Sequence, residues 1–357
     1  MIERRISSKV NIGGVEIGGG SPIAIQSMTN VSSRDKDALL GQIGMLRDAG
    51  CEIVRIAIPD MEAAGTLRDV RKLTGMPLVA DIHFDYRLAV EAIKAGADKI
   101  RINPGNIGDR ERVRQVVTEA KAAGIPIRVG VNSGSLEKNV LEKYGGVTAE
   151  GLAESALLNL ALIEDMGYDN LVVSIKSSDV EMNYKAHIIL ADKTDHPIHI
   201  GITEAGTLRR GKIKSAVGIG SLIMAGIGDT LRVSLTADPV EEVVFAKELL
   251  ETCGLRVPKY NLISCPTCGR TEIDLTALAE QVDRRLAMVT DLPEGLKVAV
   301  MGCVVNGPGE AREADFGVAG GKGKGLIIAK GEVVKTVSED RIVDELIDII
   351  ETYTKGK

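Results

Sequence analysis

Three cysteines near the C-terminus have the spacing of a metal centre. Cys265 and Cys268 form a C-x-x-C pair in Ser-Cys-Pro-Thr-Cys-Gly, and Cys303 stands in Met-Gly-Cys-Val-Val-Asn-Gly-Pro-Gly-Glu. The pair sets two thiolates on one tight turn, and the third sulfur must come from another loop. No histidine follows His199, so the region lacks the nitrogen donor that often completes a zinc site. Structural zinc sites are closed and four-coordinate, usually through a second C-x-x-C or added histidines. Three thiolates with no obvious soft fourth donor suit an iron–sulfur cluster better, because one iron can carry a weaker ligand or a substrate. Zinc and a disulfide are the alternatives that the spacing leaves open.

A second set of residues lies inside apolar runs. Arg55 sits in Ile-Val-Arg-Ile-Ala-Ile, Arg101 in Lys-Ile-Arg-Ile-Asn-Pro-Gly and Arg128 in Ile-Arg-Val-Gly-Val-Asn. Lys176 ends Val-Val-Ser-Ile-Lys-Ser-Ser, and Arg232 stands in Leu-Arg-Val-Ser-Leu. A buried cation is costly unless it meets a carboxylate, solvent or an anionic ligand. One such arginine reads as an ion pair in a core. Five on five strands read as a cradle for a ligand with several negative charges, such as a diphosphate. Asn103, Asn132 and Ser234 lie beside these cations as neutral donors. Asp81 and His83 are two apart and so share one strand face. Glu204 follows in Gly-Ile-Thr-Glu-Ala-Gly. A carboxylate and an imidazole at strand ends are the parts of acid/base chemistry, although His83 alone could equally be held by a backbone group.

Other features read as structural. His187, His196 and His199 have packing roles, and Cys51 and Cys253 are packed thiols. The run Gly206-Thr-Leu-Arg-Arg-Gly-Lys212-Ile213 nearly matches a P-loop, but Ile213 stands where a magnesium-binding hydroxyl is needed. Lys212 therefore belongs to a substrate loop or a solvated face. Residues 320–325, Gly-Gly-Lys-Gly-Lys-Gly, read as a flexible turn.

The elements that must position these residues recur regularly. Short runs rich in Ile and Val begin near residues 23, 53, 78, 100, 127, 171, 198 and 231, each followed by a stretch with helical periodicity. Continuous apolar strands alternating with helices imply a parallel sheet covered by helices. Eight units in this length predict a (β/α)₈ barrel, a TIM barrel, over residues 1–253. Residues 1–20 read as a small hairpin plugging its floor. Gly254 and Pro258 break the pattern, and residues 254–357 are predicted to form a small α/β domain with a metal-binding edge. Its expected elements are strands at 260–264 and 296–301, helices at 274–290 and 339–353, and a hairpin at 326–337. On a TIM barrel the C-terminal strand ends form the catalytic face, so inward cations there converge.

Composition excludes several classes. The 357 residues carry 44 basic and 50 acidic side chains, no Trp and three Phe. That balance is wrong for nucleic-acid binding, which favours basic surfaces and aromatic platforms. Residues 1–9 carry charges with no apolar segment behind them, so no signal peptide is expected, and no run approaches the roughly 18 apolar residues of a membrane span. A reducing cytoplasmic setting is expected, where thiols persist. Helix geometry adds one expectation: the eighth helix returns to the barrel floor, so a short linker cannot bring the second domain to its own barrel mouth. A homodimer with active sites shared between chains follows.

The motifs Ser264-Cys-Pro-Thr-Cys-Gly-Arg-Thr and Met301-Gly-Cys-Val-Val-Asn-Gly-Pro-Gly-Glu310, behind Ile25-Gln-Ser-Met-Thr-Asn30, closely resemble the hydroxymethylbutenyl diphosphate synthase family of the methylerythritol phosphate isoprenoid pathway. Residues 103–108, 131–137 and 202–206 share the resemblance, which runs essentially from end to end in the shorter, two-domain form. The resemblance implies a reductive ring opening and dehydration of methylerythritol cyclodiphosphate. It implies a 4Fe-4S cluster on Cys265, Cys268 and Cys303 with Glu310 as fourth ligand, fed by flavodoxin or ferredoxin. It assigns diphosphate contacts to Arg55, Arg101, Asn103, Arg128, Asn132, Lys176, Arg232 and Ser234, and an acid/base role to Glu204. His83 and Asn306 are implied substrate neighbours. Two readings from other classes stay open on the residues alone: a pterin- or phosphate-binding barrel transferase with a structural zinc domain, and a non-catalytic iron–sulfur carrier.

Overall fold

The chain divides into two compact units between Arg256 and Val257. The structure, a computed structural model, describes residues 2–303, 309 and 311–355.

The first unit opens with a hairpin, β1 (Val10–Ile12) and β2 (Val15–Ile17). Gly13 and Gly14 both have positive φ, as its two-residue turn requires. Eight parallel strands follow: β3 (Ala24–Met28), β4 (Ile53–Ala57), β5 (Leu78–Asp81), β6 (Lys99–Ile102), β7 (Ile127–Asn132), β8 (Leu171–Lys176), β9 (His199–Ile200) and β10 (Thr230–Leu231). Each pairs with its neighbour in chain order, and β10 returns to β3. A parallel bridge between Val173 and Ile198 closes the ring between β8 and β9. The expected TIM barrel is thus present. Regular pairing in β9 and β10 is shorter than the apolar runs suggest; residues 201–203 and 232–235 continue as irregular chain toward the mouth.

The helices cover the outside because each has one apolar face. Leu39, Ile43 and Leu46, for example, are buried at helical spacing on Lys36–Asp48. Acidic N-caps start many of them, including Asp35, Asp60, Asp109 and Asp179, whose side chains accept free backbone N–H groups of the first turn. The main core lies between strands and helices. A separate small core joins Val10, Ile12 and Ile17 of the hairpin to Ala24, Ile53, Val79 and Val172 at the strand starts. The hairpin therefore seals the barrel floor with apolar side chains, and polar residues are confined to the levels above.

The second unit is a five-stranded sheet: β11 (Tyr260–Ser264), β12 (Leu296–Met301), β13 (Phe316–Gly321), β14 (Lys324–Ala329) and β15 (Glu332–Ser338). The first three strands are parallel and the last three antiparallel. Helices Leu275–Met288 and Ile342–Lys355 share one core with Phe316, Val298 and Ile327. The sequence reading missed β13 because its glycines resemble a turn. They are there for contact: a Cβ on Gly320 would lie 2.1 Å from Ile273. Residues 320–325 are consequently the ends of two paired strands around a short turn, not a free loop.

Ile12 is fully buried at the floor. Ile12→Ala should destabilise the barrel unit by about 2–5 kcal/mol through transfer and cavity terms, read as a lower midpoint in chemical denaturation.

Candidate active site at the barrel mouth

A cavity of about 200 Å³ opens at the C-terminal ends of the barrel strands. Arg55, His83, Arg101, Arg128, Asn132, Lys176, Arg232 and Ser234 line it, together with Asp81, Met28, Ser174 and Thr203. Strand alternation explains the convergence, since residues two apart project to the same side. Arg101 follows Lys99 on β6, and Lys176 follows Ser174 on β8. Small residues make room: a Cβ on Gly130 would lie 2.5 Å from the Arg101 Nε. A larger cleft on the second unit, about 690 Å³ and walled by Phe316, Val334, Ile349 and Tyr353, has no comparable set of converging donors.

Asp81 organises one side of the mouth. It is buried, with its oxygens 3.3 Å from Arg101 Nη1, 3.8 Å from Arg55 Nε and 3.4 Å from His83 Nε2. Burial pushes its pKa up, but Arg55, His83 and Arg101 together hold it well below the usual carboxylate range. On the other side Glu242, from helix Pro239–Thr252, lies 3.7 Å from Arg232 and accepts the Leu235 N–H at 2.8 Å. Burial raises the Glu242 pKa against the pull of Arg232. Burial also presses Arg232 down to about 10, with Arg55 adding to it and Glu242 opposing.

The balance of charge in the barrel is strongly positive. Arg55, Lys99, Arg101, Arg128, Lys176 and Arg232 share the interior with Asp81 and Glu242, and among the described residues no other carboxylate pairs with them. Arg128 is almost fully buried, and its Nη1 faces Gln26 Oε1 at 3.5 Å. Burial and then Arg232 drive the Lys176 pKa well below the ordinary lysine range. Burial and then Arg55 depress Arg128 as well, although a guanidinium keeps its proton in proteins. Such a pocket selects a small anion with more than one charge.

Two expected mouth residues stand apart. Asn103 is buried, but its side chain accepts the Gly105 N–H at 3.1 Å and caps the short helix Pro104–Ile107; it does not line the cavity. Glu204 is exposed in the turn after β9, with φ of 51°, and Thr203 rather than Glu204 reaches the cavity wall. A non-glycine residue in that region is uncommon and is a mark of local strain. Asn306 and Glu310 lie outside the described residues. The remaining histidines are held within the structure. His187 Nδ1 meets the Asn183 carbonyl at 2.7 Å, His196 Nε2 meets Glu164 at 2.9 Å, and His199 Nδ1 meets Thr230 Oγ1 at 2.8 Å.

Sequence reasoning passed over Lys99, Gln26 and Glu242. The signal for Lys99 was present, since period two places it on the face of Arg101. Gln26 likewise alternates with inward Met28. Glu242 had no local signal, because its partner Arg232 comes from the strand before its helix.

In the second unit, β11 and β12 are parallel neighbours with Ser264 opposite Val300, so the loops bearing Cys265 and Cys303 leave the same end of the sheet. Those loops are tied together. The Gly302 N–H donates to Cys265 Sγ at 3.3 Å, and the Glu272 N–H donates to the Gly302 carbonyl at 3.2 Å. A Cβ on Gly302 would sit 2.9 Å from Thr271 and Leu275, so only glycine permits this approach. Cys268 is exposed, and the Arg270 backbone N–H foremost lowers its thiol pKa. Cys265, Cys268 and Cys303 are all free thiols. Among the described residues no three His, Cys, Asp or Glu side chains are gathered at metal-binding distance. The donor chemistry nonetheless fits a thiolate-bound metal group: sulfurs from two tied loops at one sheet end, with N–H groups stabilising thiolate.

Two family models match the chain, one described as the GcpE TIM-barrel domain over residues 7–247 and one as the GcpE protein C-terminal domain over residues 261–352. A relative from Caldanaerobacter subterraneus, named 4-hydroxy-3-methylbut-2-en-1-yl diphosphate synthase (flavodoxin), is 52% identical and covers 99% of this chain and 98% of its own length. One of the same name from Clostridium acetobutylicum is 54% identical over 97% of this chain and 98% of its own. Among solved structures, the dihydropteroate synthase of Yersinia pestis has a TM-score of 0.50 at 13% identity, covering 69% of this chain and 97% of its own. That likeness concerns the barrel fold alone.

Asp81→Asn should remove the countercharge of two buried arginines and cost about 3–5 kcal/mol at neutral pH. A carboxylate with a depressed folded pKa stabilises above its unfolded pKa, near 4, and loses that contribution as pH falls through the folded value. The gap between wild type and Asp81→Asn should therefore narrow only below about pH 4, as followed by denaturation across pH.

Proposed function

The chain belongs to the GcpE family, and on that premise we propose that it is an oxidoreductase that converts 2-C-methyl-D-erythritol 2,4-cyclodiphosphate to 4-hydroxy-3-methylbut-2-en-1-yl diphosphate by reductive ring opening and loss of water. The observation that carries this reading is the barrel mouth, where five cationic side chains, Arg55, Arg101, Arg128, Lys176 and Arg232, line one small cavity and have Asp81 and Glu242 as their carboxylate partners. A diphosphate supplies the missing negative charge. Arg55, Arg101, Arg128, Lys176 and Arg232 hold it, with Asn132 and Ser234 as neutral donors. Asn103 shapes the rim through its cap and reaches the ligand only if that cap opens. His83, steered by Asp81, is placed to donate a proton to a departing oxygen. Glu204 serves as the second acid/base group from its exposed turn.

Cys265, Cys268 and Cys303 would hold a 4Fe-4S cluster, with Glu310 as its fourth ligand and Asn306 beside the substrate. When bound, the cluster supplies electrons singly together with a Lewis-acidic iron at its most weakly held corner. The relatives' name gives flavodoxin as electron donor, with ferredoxin as the alternative here. The zinc-stapled transferase reading has only the shared barrel fold in its favour.

We assign the working form to a cytoplasmic homodimer with active sites shared between chains. Among the described residues no helix is long and apolar enough to cross a membrane. Arg256 donates to the Ile23 carbonyl at 3.1 Å and pairs with Glu52, just before β3 and β4. The chain thus leaves the barrel at its floor, the end opposite the cation cradle. Helix Leu208–Met224 also exposes Ile213, Val217 and Met224 at helical spacing, with Val180 and Tyr184 beside Val217 and Met224. An apolar stripe of this kind is suited to a second copy of the chain.

Anaerobically prepared protein should contain iron and sulfide and turn over the cyclodiphosphate with reduced flavodoxin; colourless, zinc-containing and inactive protein would reject the assignment. Arg101→Ala or Lys176→Ala should weaken binding of that substrate by about 2–5 kcal/mol without changing iron content, as measured by calorimetric titration. Mixing Glu204→Ala with Cys303→Ser subunits should restore up to one working site per mixed dimer. Inactive mixed dimers from two folded parents would instead place each site within one chain.

A further inference from the structure

Beneath the mouth lies a level of polar side chains that the substrate contacts do not use. Lys99 is completely buried on β6 and does not line the cavity. Among the described residues its Nζ makes one hydrogen bond, to Gln26 Oε1 at 3.4 Å, and the same oxygen faces Arg128 Nη1 at 3.5 Å. Among the described residues no carboxylate lies within ion-pair distance of it. The charged groups of the surrounding strands are Arg55 on β4, Asp81 on β5, Arg128 on β7 and Lys176 on β8, with Arg232 just after β10 and Arg101 on its own strand. Both oxygens of Asp81 are already engaged by arginines and His83. His199, on β9, is also fully buried, and its Nε2 has no partner among the described residues. The floor below is apolar.

We propose that Lys99 is a proton reservoir for the cradle: uncharged while the mouth is empty, it takes up a proton from solvent when a diphosphate settles above it. This rests on the substrate reading given under Proposed function. An ammonium buried beside cations, with one long bond to a neutral amide, cannot hold its charge. Burial first, then Arg128 and Arg55, drives its pKa well below the lysine range. Arginines keep their protons, so the excess positive charge of the empty site can be shed only at the lysines and histidines: Lys176 and His83 at the cavity wall, and Lys99 and His199 away from it. An arriving dianion reverses the local potential and draws protons back. Affinity and proton uptake are then two sides of one linkage. The proton moves from bulk water to Nζ, with no electron transferred.

The test is calorimetric titration of the anaerobic holoenzyme with the cyclodiphosphate in Tris and in PIPES, whose ionisation heats differ. Each phosphorus of that ligand bears a single strongly acidic oxygen, so the ligand contributes no proton near neutrality. Wild type should show net uptake, and its Kd should rise with pH by up to about tenfold per unit for each proton taken up. Lys99→Met and Lys99→Gln should bind with less uptake, by up to about one proton, and with a flatter pH dependence. Lys99→Met should also raise Tm near pH 7 and less so towards pH 10. An unfolded lysine stays protonated to about pH 10.4, so folding must expel its proton throughout that range. Binding without uptake in wild type, or with equal uptake in both variants, overturns the inference and leaves the substrate reading standing. Failure of Lys99→Met to fold also overturns it, because an uncharged, weakly bonded lysine should tolerate methionine. No binding at all rejects the substrate assignment, and this inference falls with it.

Discussion

Six cationic side chains enclosed by one barrel, with two carboxylates pairing with them among the described residues, must be supported against their own repulsion. Asp81 offsets Arg55 and Arg101, and Glu242 offsets Arg232 from outside the ring of strands. Lys99, Arg128 and Lys176 have no comparable partner among the described residues, and their stability in place comes from the rigid closed sheet around them. The apolar floor built by Val10, Ile12 and Ile17 then has a clear purpose: it keeps water from reaching the charged levels from below. Charge strain of this kind destabilises an empty site and favours an anionic ligand, the arrangement expected where binding energy is concentrated at a reacting centre.

The two units solve different problems. The barrel concentrates positive charge at the C-terminal strand ends, where the fold places its loops. The second unit sends the loops bearing Cys265 and Cys303 out of the same end of its sheet and ties them by the Gly302 and Glu272 backbone N–H groups. Parallel pairing of β11 with β12 is essential there, since an antiparallel neighbour would send its loop to the opposite end of the sheet. A carboxylate-rich chain overall, with 50 acidic against 44 basic residues, thus hides a locally basic pocket that no bulk property reveals.

Much of this was legible from local patterns. Eight apolar runs with helical stretches between them specify the barrel because period two and period 3.6 are local properties of the chain. Cations inside those runs had to face inward or be paired, and Arg55, Arg101, Arg128, Lys176 and Arg232 all reach one cavity. The C-x-x-C turn and Cys303 gave a metal-centre expectation by residue type, and the fold puts the loops of Cys265 and Cys303 at one end of a sheet. The small strand β13 was missed because its glycines mimic a turn, while their real reason is contact with Ile273 and Ala299, residues distant in the chain.

Other features depended on tertiary structure, for one physical reason: charge balance and packing are set by neighbours that are not neighbours in sequence. Asn103 carries the same side chain whether it binds a ligand or caps a helix, and only the fold shows that it caps Pro104–Ile107. Glu204 could be placed at a turn from its flanking glycines, but its left-handed backbone and its position outside the cavity wall required the structure. Lys99 could be put on the inward face by alternation. That Gln26 is its one hydrogen-bond partner among the described residues, with cations from other strands around it, is a consequence of closing the ring. Residue types and their periods determined which chemistry the chain can carry; closure of the sheet decided which charges must share one small space.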